Sequence, residues 1–395
     1  MRIRRLSPAG AGWALSLLAF LSLPSCATPP PPAPVEEYRP PQPLVVFEDG
    51  GQEFVVGSGN GVAAGDLDGD GKPDLAISMG DRPASLWKNL GEGRFAPLPS
   101  RLPKSEAIAL GDLDGDGDLD LVVAEATRIG IWMNDGTGAF TDAQAGLTSL
   151  ESSALALGDL DGDGDLDLVV ANWRGLPDQV FLNGGDGDFT DSGQALGHGW
   201  GSRVHLGDLD GDGDLDLVVA NNGETADTCT EVWLNDGQGR FSDSGQVLGP
   251  SNAYEAVPGD VDGDGDLDLF VANSSHAGFN PADKVWLNDG EGRFADSGQA
   301  LGSYYSMCAV LADFDGDGDL DAFTGSWLAG PRFWLNGGTG RFADSQSRLD
   351  SFNVQAAACA DFDGDGRVDV FTVANTWRGG DGRPRLWLNR TEPRK

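Results

Sequence analysis

The sequence is short of positive charge. Its 395 residues hold 26 Lys and Arg against 63 Asp and Glu, a formal net charge of −37 at pH 7. Binding to a phosphate backbone needs a basic footprint, so nucleic acid is excluded as a partner. Histidine is scarcer still. His198, His205 and His276 are the whole supply, too few and too scattered for an imidazole zinc centre or a His-based triad. Four cysteines, Cys26, Cys229, Cys308 and Cys359, cannot frame a chain of this length with disulfides. The uncharged apolar run from Ala9 to Leu23 is shorter than the ~20 residues of a membrane-spanning helix. These shortages tilt the reading away from an enzyme. Glycine is plentiful, at 59 residues, and 39% of the chain is hydrophobic. That is too apolar and too regular for a disordered acidic tail, and enough to bury a core.

The N-terminus reads as an address. Three arginines within Met1–Arg5 precede the apolar run, the n-region and h-region of a secretory signal. The run ends in Leu23-Pro24-Ser25-Cys26, which resembles the lipobox of bacterial lipoproteins. That resemblance implies a signal over residues 1–26, lipidation of Cys26 and residence in the cell envelope. Ala27 in place of Asp favours the outer membrane by the same resemblance. The alternative is a removed peptide and plain secretion. Residues 27–43 contain eight prolines, a stiff solvated spacer between an anchor and the domain expected over 44–395.

Internal repetition decides the fold class. The string Asp-x-Asp-Gly-Asp-Gly-x-x-Asp begins at Asp66, Asp112, Asp159, Asp208, Asp260, Asp313 and Asp361, at intervals of 46 to 53 residues. Ahead of each copy lies a short alternating run such as Ala154-Leu155-Ala156-Leu157, and behind it a run such as Asp120-Leu121-Val122-Val123-Ala124. A third apolar run, such as Val232-Trp233-Leu234-Asn235, leads into Asp236-Gly237-Gln238-Gly239, a sequence suited to a tight hairpin. A fourth strand then starts at a recurring aromatic: Phe95, Phe140, Phe189, Phe241, Phe294 and Phe342. Four short antiparallel strands in each unit predict an all-β, seven-bladed propeller. Blade seven lacks its fourth strand at the C-terminus. The segment Gln52–Val56 is expected to supply it and close the ring, covering edges that would otherwise invite pairing. The Asn residues that end the third strands (Asn89, Asn134, Asn183, Asn235, Asn288, Asn336, Asn389) read as hairpin formers.

These motifs, over roughly Leu44 to Asn389, resemble the FG-GAP and VCBS-type repeat proteins, whose seven-bladed propeller is also the head of integrin α chains. The resemblance implies calcium binding and an extracytoplasmic life, with adhesion or ligand binding common among relatives. It specifies no single ligand.

Within one loop Asp66, Asp68, Asp70 and Asp74 place four carboxylates in nine residues, with the backbone carbonyl of Lys72 as a further oxygen. Oxygen donors in a flexible ring suit a hard cation of calcium's size. An EF-hand is excluded, since its twelfth-position Glu is replaced by Ile77, Val123, Val170, Val219, Val271, Thr324 and Thr372; the ninth-position Asp must close each site. The same scheme gives Asp112, Asp114, Asp116, Asp118 and Asp120; Asp159, Asp161, Asp163, Asp165 and Asp167; and Asp208, Asp210, Asp212, Asp214 and Asp216. It continues with Asp260, Asp262, Asp264, Asp266 and Asp268; Asp313, Asp315, Asp317, Asp319 and Asp321; and Asp361, Asp363, Asp365, Arg367 and Asp369. All seven loops are expected to bind, despite Lys72 and Arg367 at the seventh position.

Subtracting the repeat leaves a second set. Trp87, Trp132, Trp233, Trp286, Trp334 and Trp387 sit on third strands and are expected in blade cores. Trp173, Trp327 and Trp377 fall between second and third strands; Trp200, Tyr254, Tyr304 and Tyr305 fall between blades. Strand alternation puts both loop classes on the face opposite the aspartate loops. Aromatic rings with Arg174, Arg203, Arg378 and Glu255 nearby suit sugar stacking or a protein partner. His205 is expected as a packed inner-strand residue. The leading reading is a monomeric, calcium-stabilised propeller, held to the membrane only through its lipid, that binds a glycan or protein at the cell surface. An extracellular polysaccharide lyase or hydrolase, or an envelope scaffold without its own ligand, are the alternatives. The sequence shows no catalytic constellation outside the aspartate loops.

Overall fold

Each aspartate loop separates two strands with different compositions, and the difference fixes where each strand lies. The strand after the loop, as in Asp167–Asn172, is buried at every residue, which accounts for its unbroken apolar run: both of its faces meet other blades. The strand before the loop, as in Ser152–Gly158, is rich in small residues and crowds with its counterparts around the axis. A Cβ on Gly158 would press on Leu215 and Leu206 of the next blade at 2.7 and 2.8 Å.

The computed structural model describes residues 45–392 except 55–56, 126, 145, 198–199, 224–228, 250–251, 275–281, 303–304, 328, 351–352 and 377–379. Cys26, segments 1–26 and 27–43, Tyr304, Trp377 and Arg378 lie outside the described residues. Among the described residues there is no helix. The strands form seven antiparallel sheets in sequential order, beginning at Gly59, Ala107, Ser152, Gly201, Ala253, Ser306 and Val354. These are blades 1 to 7, and blade 2 carries an extra short strand, Leu147–Thr148. The first strand of each blade contacts the first strands of both neighbours, Val354–Ala360 against Gly59–Gly65 included, so the ring closes. Hydrophobic clusters fill the spaces between adjacent blades.

The closing strand differs from the expected one. Phe47–Asp49, not Gln52–Val56, pairs with Trp387–Asn389, with Phe47 opposite Asn389. The chain from Phe47 to Gln52 carries the Phe-x-Asp-x-Gly-Gln signature that opens the fourth strand at Phe189, Phe241 and Phe294. Phe47, not Phe54, therefore holds the place of the recurring aromatic. Phe54 instead packs between Trp87 and Phe371, with ring centroids 5.0 and 4.9 Å away. Gln52 clasps the next blade, donating to the Phe95 carbonyl at 2.8 Å and accepting from the Phe95 N–H at 2.7 Å. Gln194, Gln246 and Gln299 accept from Phe241, Phe294 and Phe342 at 2.9 Å in the same way.

The third-strand asparagines do more than shape hairpins. In blade 4, Asn235 Nδ2 donates to Leu215 O at 3.1 Å within its blade and to Leu160 O in the aspartate loop of blade 3 at 2.8 Å. Equivalent bonds run from Asn134 to Leu67, Asn183 to Leu113, Asn288 to Leu209 and Asn336 to Val261. Asn389 reaches Phe314, and Asn89 crosses the seam between blades 1 and 7 to Phe362. Every blade is thereby tied to the loop of the blade before it.

Among the described residues, the aspartates buried outside the loops are Asp178 and Asp283. Asp178 accepts from the Asn172 N–H at 2.7 Å, and Asp283 from the Asn273 N–H at 2.8 Å and the Ser306 hydroxyl at 2.8 Å. Burial pushes Asp178 up to about 8 and Asp283 up to about 7.

Asn235→Ala leaves the Leu215 carbonyl without this donor and the Leu160 carbonyl with only the Gly239 N–H at 2.7 Å, a loss of about 1–2 kcal/mol; thermal unfolding should show a lowered midpoint, and an unchanged one would refute the clamp. The second expectation concerns pH. The folded chain keeps a proton on Asp283 that the unfolded chain releases at pH ~3.9, so this contribution is full below the unfolded value and is lost as pH rises through about 7. At saturating calcium, the wild-type midpoint should fall between about pH 4 and pH 7 more steeply than that of Asp283→Asn, and the two should run parallel above that range.

Candidate metal loops and axial-face cleft

The loop backbone coils because its own carboxylates hold it. In blade 2 the Asp112 carboxylate accepts from Gly115 N at 2.8 Å and Gly117 N at 3.0 Å, and Asp116 accepts from Asp118 N at 2.9 Å. Gly115 and Gly117 have φ of 73° and 95°, the left-handed region that glycine enters without steric cost. The ninth-position Asp120 is buried and splits its two oxygens: one accepts from Leu113 N inside the loop at 2.9 Å, the other from Asn134 N on the third strand at 2.7 Å. The same pair of bonds recurs at Asp74, Asp167, Asp216, Asp268, Asp321 and Asp369.

The resulting clusters are tight. Carboxylate oxygens of Asp66, Asp68 and Asp70 lie within 4.8 Å of one another, as do those of Asp112, Asp114 and Asp116. In blades 3, 4 and 5 the trios are Asp159, Asp161 and Asp167; Asp208, Asp210 and Asp216; and Asp260, Asp262 and Asp268. Burial, then repulsion from the fifth-position aspartate, raises the carboxyl pKa of Asp114, Asp161, Asp210 and Asp262. Burial pushes Asp167, Asp216, Asp268 and Asp369 up to about 6 and Asp321 up to about 8. The buried Oδ1 atoms of Asp68, Asp161 and Asp262 have no hydrogen-bond partner. Converging anionic oxygens, some without a donor, are the donor set of a hard divalent cation.

Two loops are built differently. In blade 1 the Lys88 ammonium binds Asp68 and reaches Asp70 at 3.1 Å, while Lys72 pairs with Asp70 at 2.9 Å. The hydrogen bond from Lys72 holds the Asp70 carboxyl below its ordinary value. In blade 7 Arg390 pairs with Asp363 at 2.7 Å and Asp365 at 3.0 Å, and Arg367 pairs with Asp365 at 2.6 Å.

At the other end of the blades, two expected aromatics come together. Trp173 and Trp200 line a cleft of about 530 Å³ with Glu106, Thr127, Glu151, Ser152 and Arg174. Arg174 pairs with Glu151 at 2.9 Å. Both residues hold left-handed backbones, φ 62° and 99°, a conformation that costs energy in non-glycine residues and collects at functional sites. Trp173 meets Tyr254 edge-on, 6.4 Å between centroids. Trp327 and Tyr305 form a separate pair in blade 6, linked through Trp327 N to Tyr305 O at 3.1 Å. They do not line the cleft.

Glu106 joins that cleft to a second cavity of about 200 Å³ on the axis, lined by inner strands of all seven blades. The sequence singles out Arg203 and Glu255 beside the aromatics but not the cluster they form here with His205. His205 is no simple packing residue: its Nε2 lies 2.7 Å from Glu255 Oε1. Arg203 stands 3.8 Å from the same carboxylate, 5.7 Å above the Tyr254 ring, and donates across the axis to Asn60 O of blade 1 at 3.0 Å. Bulges near the start of the inner strands, after Gly201 and after Ala253, shift the register by which Arg203 and Glu255 reach the axis.

Similar folds occur in an Agrocybe aegerita lectin described for recognition of non-reducing terminal N-acetylglucosamine, with 21% identity over 73% of this chain and 79% of that one and a TM-score of 0.52. The BP39L lectin from Burkholderia pseudomallei shares 14% identity over 85% of this chain and 97% of its own, with a TM-score of 0.60. BBS1N, solved in complex with ARL6DN, shares 14% over 89% and 98%, with a TM-score of 0.57. At these identities the likeness is one of fold. No curated protein matches the chain. The FG-GAP-like repeat model matches overlapping segments 66–123, 112–170, 159–219, 208–271, 260–324 and 313–372, each reaching from one aspartate loop into the strand after the next. On the repeat, the loops and the ring together, the chain belongs to the FG-GAP-like repeat family.

Proposed function

We propose that this propeller is a binding module that takes a glycan in the cleft of Trp173 and Trp200, with calcium in its aspartate loops as structural support. The cleft carries the reading. Two indole faces offer flat apolar platforms, and the Glu151–Arg174 pair, held in a strained backbone, supplies fixed polar groups beside them. Two of the similar folds are lectins, which supports glycan over protein as the first ligand to test. The His205–Glu255–Arg203 cluster is spent on mutual pairing at the axis, so binding is favoured over polysaccharide cleavage. The segment 1–26 and Cys26 complete the proposal: a lipid anchor in the bacterial envelope, probed by palmitate labelling and its loss in Cys26→Ala.

On a neutral-oligosaccharide array with calcium held constant, the full chain should bind saturably, and Trp173→Ala and Trp200→Ala should each weaken binding about tenfold or more, ~1.4 kcal/mol. Equal binding by folded variants would overturn the site. Product release from the polysaccharides would favour the lyase or hydrolase alternative. Excess EDTA should lower the unfolding midpoint and calcium should restore it, since a site at 100 times its Kd contributes about 2.7 kcal/mol. A midpoint indifferent to EDTA would refute structural calcium.

A further inference from the structure

We infer that the aspartate loops of blades 1 and 7 are neutralised by the chain's own cations and exclude metal, so that the seam of the ring is held without it. This rests on the reading of the other loops as calcium sites. The repeat itself provides the comparison. Lys88 occupies the place of Met133, Leu182, Leu234, Leu287, Leu335 and Leu388, all apolar. Arg390 occupies the place of Leu90, Asp135, Gly184, Asp236, Asp289 and Gly337, none of them cationic. Each of the two cations therefore appears once, and each lies in a blade that meets at the seam.

Both are seated on ligand oxygens rather than spread over the surface. Lys88 Nζ binds the third-position Asp68, whose side chain is only 10% exposed, and reaches the fifth-position Asp70. Arg390 Nη1 spans the third-position Asp363, 8% exposed, and the fifth-position Asp365. A calcium ion coordinated by those oxygens would stand within a few ångströms of a fixed positive charge, and the cation would have to leave a nearly buried partner to admit it. Among the described residues, no comparable ion pair reaches the loops of blades 2, 3, 4 and 5. There the seventh-position aspartates lie against the hairpin glycines instead, as Asp118 lies against Gly136 and Asp214 against Gly237.

The placement follows the mechanics of closure. The last blade is completed by Phe47–Asp49, a strand from the other end of the domain that no hairpin joins to Arg385–Asn389. Arg390 also faces Glu48 of that strand at 3.5 Å. Val46 N donates to Thr391 Oγ1 at 2.9 Å, and Arg390 N to Val46 O at 2.7 Å. One side chain thus serves the loop of blade 7 and the strand that closes it, and loss of metal leaves both in place.

Hydrogen exchange read by mass spectrometry on the full chain, with calcium and then with excess EDTA, tests this in the wild type. Peptides over residues 66–74 and 361–369 should exchange alike in both conditions, whereas those over 112–120, 159–167, 208–216 and 260–268 should lose protection on chelation. Calcium stoichiometry provides the second arm. Wild type should bind no more than five ions, and Lys72→Asp/Lys88→Leu and Arg367→Asp/Arg390→Asp should each gain one. Seven ions in the wild type, or loss of protection in all seven loops alike, would overturn the inference. No bound calcium at all would overturn the metal reading beneath it.

Discussion

Each blade depends on one buried carboxylate, the last aspartate of its loop. Its two oxygens face opposite duties: one gathers the loop through a backbone N–H, the other fixes the third strand at the N–H of its terminal asparagine. That asparagine then donates to the loop of the blade before it. Loop, strand and neighbouring blade are thus joined in one chain of hydrogen bonds repeated around the ring. The arrangement explains why burying so much negative charge is tolerable. The ninth carboxylate is satisfied by backbone donors, and the exposed carboxylates converge where a cation can neutralise them.

A scaffold so fixed at one end leaves the other free to vary. The opposite face has interblade bonds of its own, Asp283 to Ser306 and Ser202 to the Ala253 carbonyl among them, but there the repeat is interrupted by Trp173, Trp200 and Arg174. Two of the non-glycine residues with positive φ, Glu151 and Arg174, lie in the same place. A rigid ring with one adaptable face suits recognition, because loop variation changes the ligand without reopening the core.

Much of this was legible in the chain alone. Seven copies of a nine-residue loop and the apolar runs beside them specify blade count, strand count and donor set. The closing strand was legible too, but the likeness of Val45–Phe54 to a third strand and its hairpin hid the Phe-x-Asp-x-Gly-Gln signature at Phe47. The asparagine clamp was hidden for another reason, since a side chain that can form a turn gives no sign of a partner one blade away. Least visible was the axial cluster. Asn60, Glu106, His205 and Glu255 come from four repeats, and only closure of the ring brings them to one line. The cations of blades 1 and 7 were visible as departures from the pattern, but Lys88 and Arg390 lie outside the loop motif and reach it only in three dimensions.

Arg203 adds a property that neighbour-to-neighbour bonding cannot supply. A ring of wedges joined only at their flanks can flatten into an oval with little disturbance of any one joint, and that breathing mode is soft because its distortion is shared around the circumference. The guanidinium of blade 4 bonded to the backbone of blade 1, three wedges away, acts as a spoke across the hub. It stiffens the one deformation that the rim leaves free, and holds the opening of the axial cavity to a fixed calibre.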